Sequence, residues 1–118
     1  MEEQMYPQSS RALHRQRQEL VPSVAAAFKA FGESVFADGE LPGKTKELIA
    51  VAVAHVTQCP YCIRGHTERA LRKGATQREV MEAIWVAAEM RAGAAYAHSN
   101  LALDTMNQVT SKQGSNAT

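Results

Sequence analysis

Long apolar runs are missing from this 118-residue chain: nowhere do 18 apolar side chains follow one another, which excludes an ordinary membrane-spanning helix. A surplus of one charge sign is missing too. The formal net charge is +1, too little to set up the long-range field that gathers nucleic acid or anionic lipid, so neither is expected as a partner. The opening residues, MEEQMYPQSS, begin acidic and lack the basic-then-apolar layout of a secretory signal, so a cytoplasmic protein is expected. Cysteine is confined to two positions, a thin framework for a disulfide-stapled secreted protein. Strand-like alternation, internal repeats and glycine loops for phosphate are likewise absent from the sequence.

What remains is ordinary globular material, 45% hydrophobic and 21% charged, with room for a single domain over residues 1–118. Between Pro7 and Pro22 the stretch SSRALHRQRQEL reads as a short polar helix, with His14 a solvated histidine among arginines. Val24, Phe28, Phe31 and Val35 then recur at i, i+4, i+7 and i+11, an amphipathic helix that ends at ADGELPGK. KTKELIAVAVAHVT is apolar nearly all round and predicts a helix buried on most sides. Pro60 suits the first position of a further helix, with Gly74 as its left-handed cap, and Thr76 with Glu79 forms a capping box that opens a long last helix. The polar tail, residues 111–118, is expected to be disordered. The fold class is all-α, and helices this apolar are expected to meet other copies of the chain.

The chemistry concentrates in TQCPYCIRGH, residues 57–66. With Cys59 at the helix N-cap and Pro60 at the first helical position, Cys59, Cys62 and His66 fall within an arc of about 60° on the core-facing stripe. A thiol attacks only as thiolate, and two agents can lower its pKa here: the positive helix N-terminus and His66, one turn beyond Cys62. The N-cap position favours Cys59 and the histidine favours Cys62, so these arguments leave the attacking sulfur open. Glu47 shares a stripe of the preceding helix with Val51, Ala54 and Gln58. If the two helices pack antiparallel, its carboxylate returns to the His66 end, where it can orient the imidazole and accept its proton. The alternative is a first-turn glutamate favoured by the helix dipole.

Glu47, CPYC and His66 in this spacing resemble the core motif of the AhpD-like alkylhydroperoxidases of the carboxymuconolactone decarboxylase superfamily, over roughly residues 41–103. The resemblance implies an all-α AhpD-like domain assembled as a homotrimer or homohexamer. It also implies thiol-dependent reduction of small peroxides with no metal, haem or other cofactor. On that pattern Cys62 attacks the peroxide, Cys59 resolves the sulfenic acid to a disulfide, and Glu47 with His66 relays protons. An external dithiol, lipoyl-bearing in the best-studied members, regenerates the pair. The chain departs from those peroxidases at Tyr61, where they carry a second histidine. A phenol hydrogen-bonds but does not shuttle protons near neutral pH, which points to weaker peroxidase activity or a different substrate or reductant.

Competing readings attach to the same residues. His55, Cys59, Cys62 and His66 form an H-x3-C-x2-C-x3-H set with the ligand types of a structural zinc site, although His55 would have to turn back from the preceding helix. A non-redox decarboxylase of the superfamily would generally lack the cysteine pair. A dithiol exchange or redox-sensing protein of the same fold would keep it, and a scaffold subunit would carry the cysteines as buried apolar groups. His98 shares a stripe with Val80, Ala87, Ala94 and Leu101 and reads as a packed, hydrogen-bonded histidine, with lining the site as the other option. Trp85, Met81 and Tyr96 read as core or subunit interface.

Overall fold

A computed structural model describes residues 5–8 and 10–116 as five helices: α1 (Arg11–Leu20), α2 (Pro22–Phe36), α3 (Gly43–Thr57), α4 (Pro60–Arg72) and α5 (Gln77–Asn116). No strand occurs among the described residues, and no helix there is long and apolar enough to cross a membrane. Ser10 caps α1 by accepting a hydrogen bond from the Leu13 N–H at 3.2 Å. Pro22 forces its predecessor out of helical geometry, and Val21 alone separates α1 from α2. At the other end of α2, the Lys46 ammonium donates to the Val35 and Ala37 carbonyls at 2.8 and 2.6 Å, satisfying groups the helix leaves unpaired.

Two tight turns set the geometry of the centre. Gln58 takes up the left-handed conformation (φ 59°) at the end of α3, so the chain reverses and reaches Cys59, the N-cap of α4, in the next residue. Gly74 (φ 95°) ends α4, and the capping box follows as expected: Thr76 N–H donates to Glu79 Oε1 at 2.9 Å and Glu79 N–H to Thr76 Oγ1 at 3.1 Å. The resulting antiparallel α3–α4 pair packs on the first half of α5. Val51, Ala70, Ala75 and Val80 are buried together there, with Leu48 and Ile84 against them.

Outside that junction the chain covers little of its own apolar surface. The stripe on α2 is present, but Phe28 is 73% exposed and Val24, Phe31 and Val35 are exposed too. Every residue of α5 from 94 to 113 is exposed, because no other helix among the described residues extends that far. The radius of gyration is 21.9 Å, against about 13–14 Å for a compact domain of this length. In the polar C-terminal stretch, where disorder is expected, α5 instead continues through Asn116, with no proline to stop it once the helix is nucleated; residues 117 and 118 lie outside the described residues.

Candidate active site

The first turn of α4 carries both thiols, which are free and half-buried. Cys59 is the N-cap, and its sulfur accepts the Cys62 N–H at 3.3 Å, the bond a serine or aspartate oxygen makes at more familiar caps. Hydrogen bonding from the neighbouring Cys62 thiol, and then that backbone bond, lower the Cys59 pKa below its ordinary value by stabilising a negative sulfur. The same contact raises Cys62, whose proton is held by hydrogen bonding to Cys59, with burial and repulsion from a Cys59 thiolate acting the same way. In the resting dithiol the negative charge therefore favours Cys59.

The antiparallel return anticipated for Glu47 is present. Its carboxylate is 1% exposed, and Oε2 lies 2.7 Å from His66 Nδ1. A carboxylate only accepts, so the proton of this bond sits on Nδ1, and the lone pair of Nε2 has the Arg69 guanidinium 3.5 Å away. The other carboxylate oxygen faces Arg69 Nε at 3.5 Å and Lys73 Nζ at 3.9 Å, so the buried charge has three partners. Phe36 lies across the His66 ring, centroids 5.1 Å apart and planes 30° from parallel, which limits its rotation.

His66 and Phe36 form a partition between two cavities. The smaller, about 430 Å³, is walled by Ile49, Ala50, Val53 and Ala54 of α3, and Cys62 opens into it beside His66. The larger, about 770 Å³, lies on the other side between α1, α2 and the side chains of Glu47, Arg69 and Lys73. Cys59 lines neither. A small oxidant in the smaller chamber would thus meet one sulfur and one imidazole.

The remaining candidates are placed elsewhere. His55 gives its Nδ1 to the Val51 carbonyl of its own helix at 2.7 Å, so the four-residue zinc set is not assembled, and no cluster of three or more potential metal ligands occurs among the described residues. His98 is not packed as its stripe suggests: it is exposed, bonded through Nδ1 to the Ala94 carbonyl at 2.8 Å, because the buried part of that stripe ends with Ala87. It also lines neither cavity. Trp85, Met81 and Tyr96 are exposed rather than core. His14 is exposed as expected, within 3.2 Å of an Arg17 nitrogen. Tyr61 donates its hydroxyl to the Pro7 carbonyl at 2.8 Å and meets Tyr6 edge-on at 6.0 Å, tying the N-terminal segment to the turn that bears the thiols.

Arg69, Lys73 and Phe36 escaped the sequence reading. The first two stand three and seven residues beyond His66, on its stripe, so helical spacing signals them. Phe36 gives no such signal, since only the docking of α2 brings it to the ring.

Comparison with known proteins extends the likeness past the motif. The model of the carboxymuconolactone decarboxylase family matches residues 22–105. An uncharacterized protein in the cox locus of Paracoccus denitrificans is 63% identical over 87 residues, 74% of this chain and 78% of that protein. A crystal structure from Methanobacterium thermoautotrophicum superposes with a TM-score of 0.66 at 42% identity, covering 70% of this chain and 93% of that one. A carboxymuconolactone decarboxylase family protein from Thermotoga maritima, for which an antioxidative role has been suggested, superposes with a TM-score of 0.54 at 27% identity, covering 75% and 91%.

Proposed function

The chain belongs to the carboxymuconolactone decarboxylase family, and from that premise we propose that it is a thiol-dependent peroxidase that reduces small organic or hydrogen peroxides with Cys62 and Cys59. One observation carries the reading: Cys62 and His66 open into one chamber, while His66 is held from behind by a buried carboxylate. The antioxidative role suggested for the Thermotoga maritima relative is in keeping with it.

Cys62 starts protonated, its thiol hydrogen-bonded to Cys59, so attack begins with transfer of the Cys62 proton to His66 Nε2. Glu47 stabilises the imidazolium through Nδ1. The Cys62 thiolate then attacks the terminal peroxide oxygen, the O–O bond breaks, and the alkoxide leaves with the proton from His66, giving an alcohol and a Cys62 sulfenic acid. Cys59 attacks that sulfur, and the hydroxyl departs as water with the Cys59 proton. One peroxide and two thiols thus give alcohol, water and a disulfide. An external dithiol, of the lipoyl type in the family pattern, returns the pair to the reduced state.

Single-turnover reaction of the reduced protein with a small hydroperoxide, followed by mass spectrometry, is the test. Conversion to a Cys59–Cys62 disulfide is expected in the wild type, none in Cys62→Ser, and a trapped sulfenic acid in Cys59→Ser. Turnover retained by Cys62→Ser and lost by Cys59→Ser reverses the assignment.

The lowered pKa of Cys59 favours a second reading, disulfide exchange initiated at Cys59. A protein that ignores peroxide but exchanges readily with a small disulfide would select it.

A further inference from the structure

The larger cavity takes no part in the steps above, yet its lining is unusual for an apolar hollow. Phe28, Phe36, Ala25 and Ala37 provide apolar wall, while Arg17, Lys29, Arg69 and Lys73 set four cations against two carboxylates, Glu33 and Glu47. Arg69 and Lys73 face Glu47. Among the described residues neither Arg17 nor Lys29 belongs to an ion pair. The volume, about 770 Å³, falls in the range of small-molecule sites.

An apolar body would bury the exposed faces of Phe28 and Phe36, and the cationic surplus suits an acidic head, which a guanidinium receives with paired hydrogen bonds. From this combination we propose that the cavity binds an amphiphilic carboxylate, its hydrocarbon against the two phenylalanines and its carboxylate at Arg17 and Lys29. Since His66 and Phe36 line both cavities, hydrocarbon packed on Phe36 ends at the wall that the larger cavity shares with the Cys62 chamber. On the peroxidase reading, on which this last step rests, the substrates are hydroperoxides of amphiphilic carboxylic acids, reduced to the corresponding hydroxy acids.

Binding is tested apart from catalysis, by titrating the full-length protein calorimetrically with decanoate, decanol and decylamine below their aggregation limits. Decanoate is expected to bind at least about tenfold more tightly than decanol, and decylamine more weakly than either. Added salt should reduce the decanoate preference. Arg17→Ala with Lys29→Ala should bring decanoate close to decanol, and Lys29→Arg should retain the preference, with circular dichroism checking that both variants keep their helicity. Equal binding of decanoate and decanol overturns the proposal, as does absence of binding, including the case in which a second copy of the chain covers the groove. Decanoate preference without peroxide reduction leaves the site standing and removes the peroxidase reading. Peroxide reduction without that preference does the reverse.

Discussion

At the scale of the residue, the two sulfurs are chemically different although they stand in one turn. Cys59 accepts hydrogen bonds that favour its thiolate, and Cys62 supplies them. In Cys62→Ala the thiol donor is lost, so the Cys59 pKa should rise toward that of an ordinary thiol. In Cys59→Ala the competing anion is gone, so the Cys62 pKa should fall. Iodoacetamide reactivity against pH reads both: the alkylation midpoint moves up in the first variant relative to wild-type Cys59, and down in the second relative to wild-type Cys62. Glu47→Gln keeps a hydrogen-bond acceptor for His66 Nδ1 but removes the buried negative charge beside it. On the proposed peroxidase function, the single-turnover rate with peroxide should fall by about 10²-fold, measured by stopped flow. That the thiols and His66 share a stripe was legible from helical spacing, whereas the return of Glu47 to His66 followed only once the two helices were taken to pack antiparallel. The order of the two pKa values was not legible, because it depends on the contact between sulfurs, and periodicity carries no information about that.

At the scale of the element, local chemistry decided most boundaries. Pro22, Pro60, Gly74 and the Thr76–Glu79 box start or stop helices through backbone geometry and end-group hydrogen bonds, which is why they can be read without a structure. Thr76→Ala should destabilise the fold by about 1 kcal/mol, measured by urea unfolding at fixed protein concentration. Gln58 was harder to foresee, since a left-handed residue here is usually glycine or asparagine. Its conformation costs more in a residue with a side chain than in glycine, so Gln58→Gly should stabilise by about 0.5–1 kcal/mol in the same assay. The fate of the His98 stripe was illegible for the opposite reason: whether a face is buried depends on how far neighbouring helices reach, and α3 and α4 stop short of it.

At the scale of the molecule, one chain alone leaves Trp85 68% exposed, together with the outer half of α5. Burial of that much apolar surface against further copies is the expected solution, with the homotrimer or homohexamer of the family pattern as the proposed forms. Light scattering at micromolar concentration should give a multiple of the single-chain mass, and Trp85→Asp should lower that multiple while retaining helicity. The long last helix could be recognised from sequence, but its excursion beyond the chain's own core could not, because no pattern in one chain names the surface that another supplies. The single-residue reversal at Gln58 has a different bearing. It places the Glu47–His66 pair only 19 positions apart along the chain, with both thiols between them. The loop that must close to assemble this constellation is therefore short, and its entropic penalty is small compared with that of docking distant segments. Its contacts are of low order, the kind that form early in folding, so the helical hairpin can organise the candidate site before α5 has docked and before any second chain arrives.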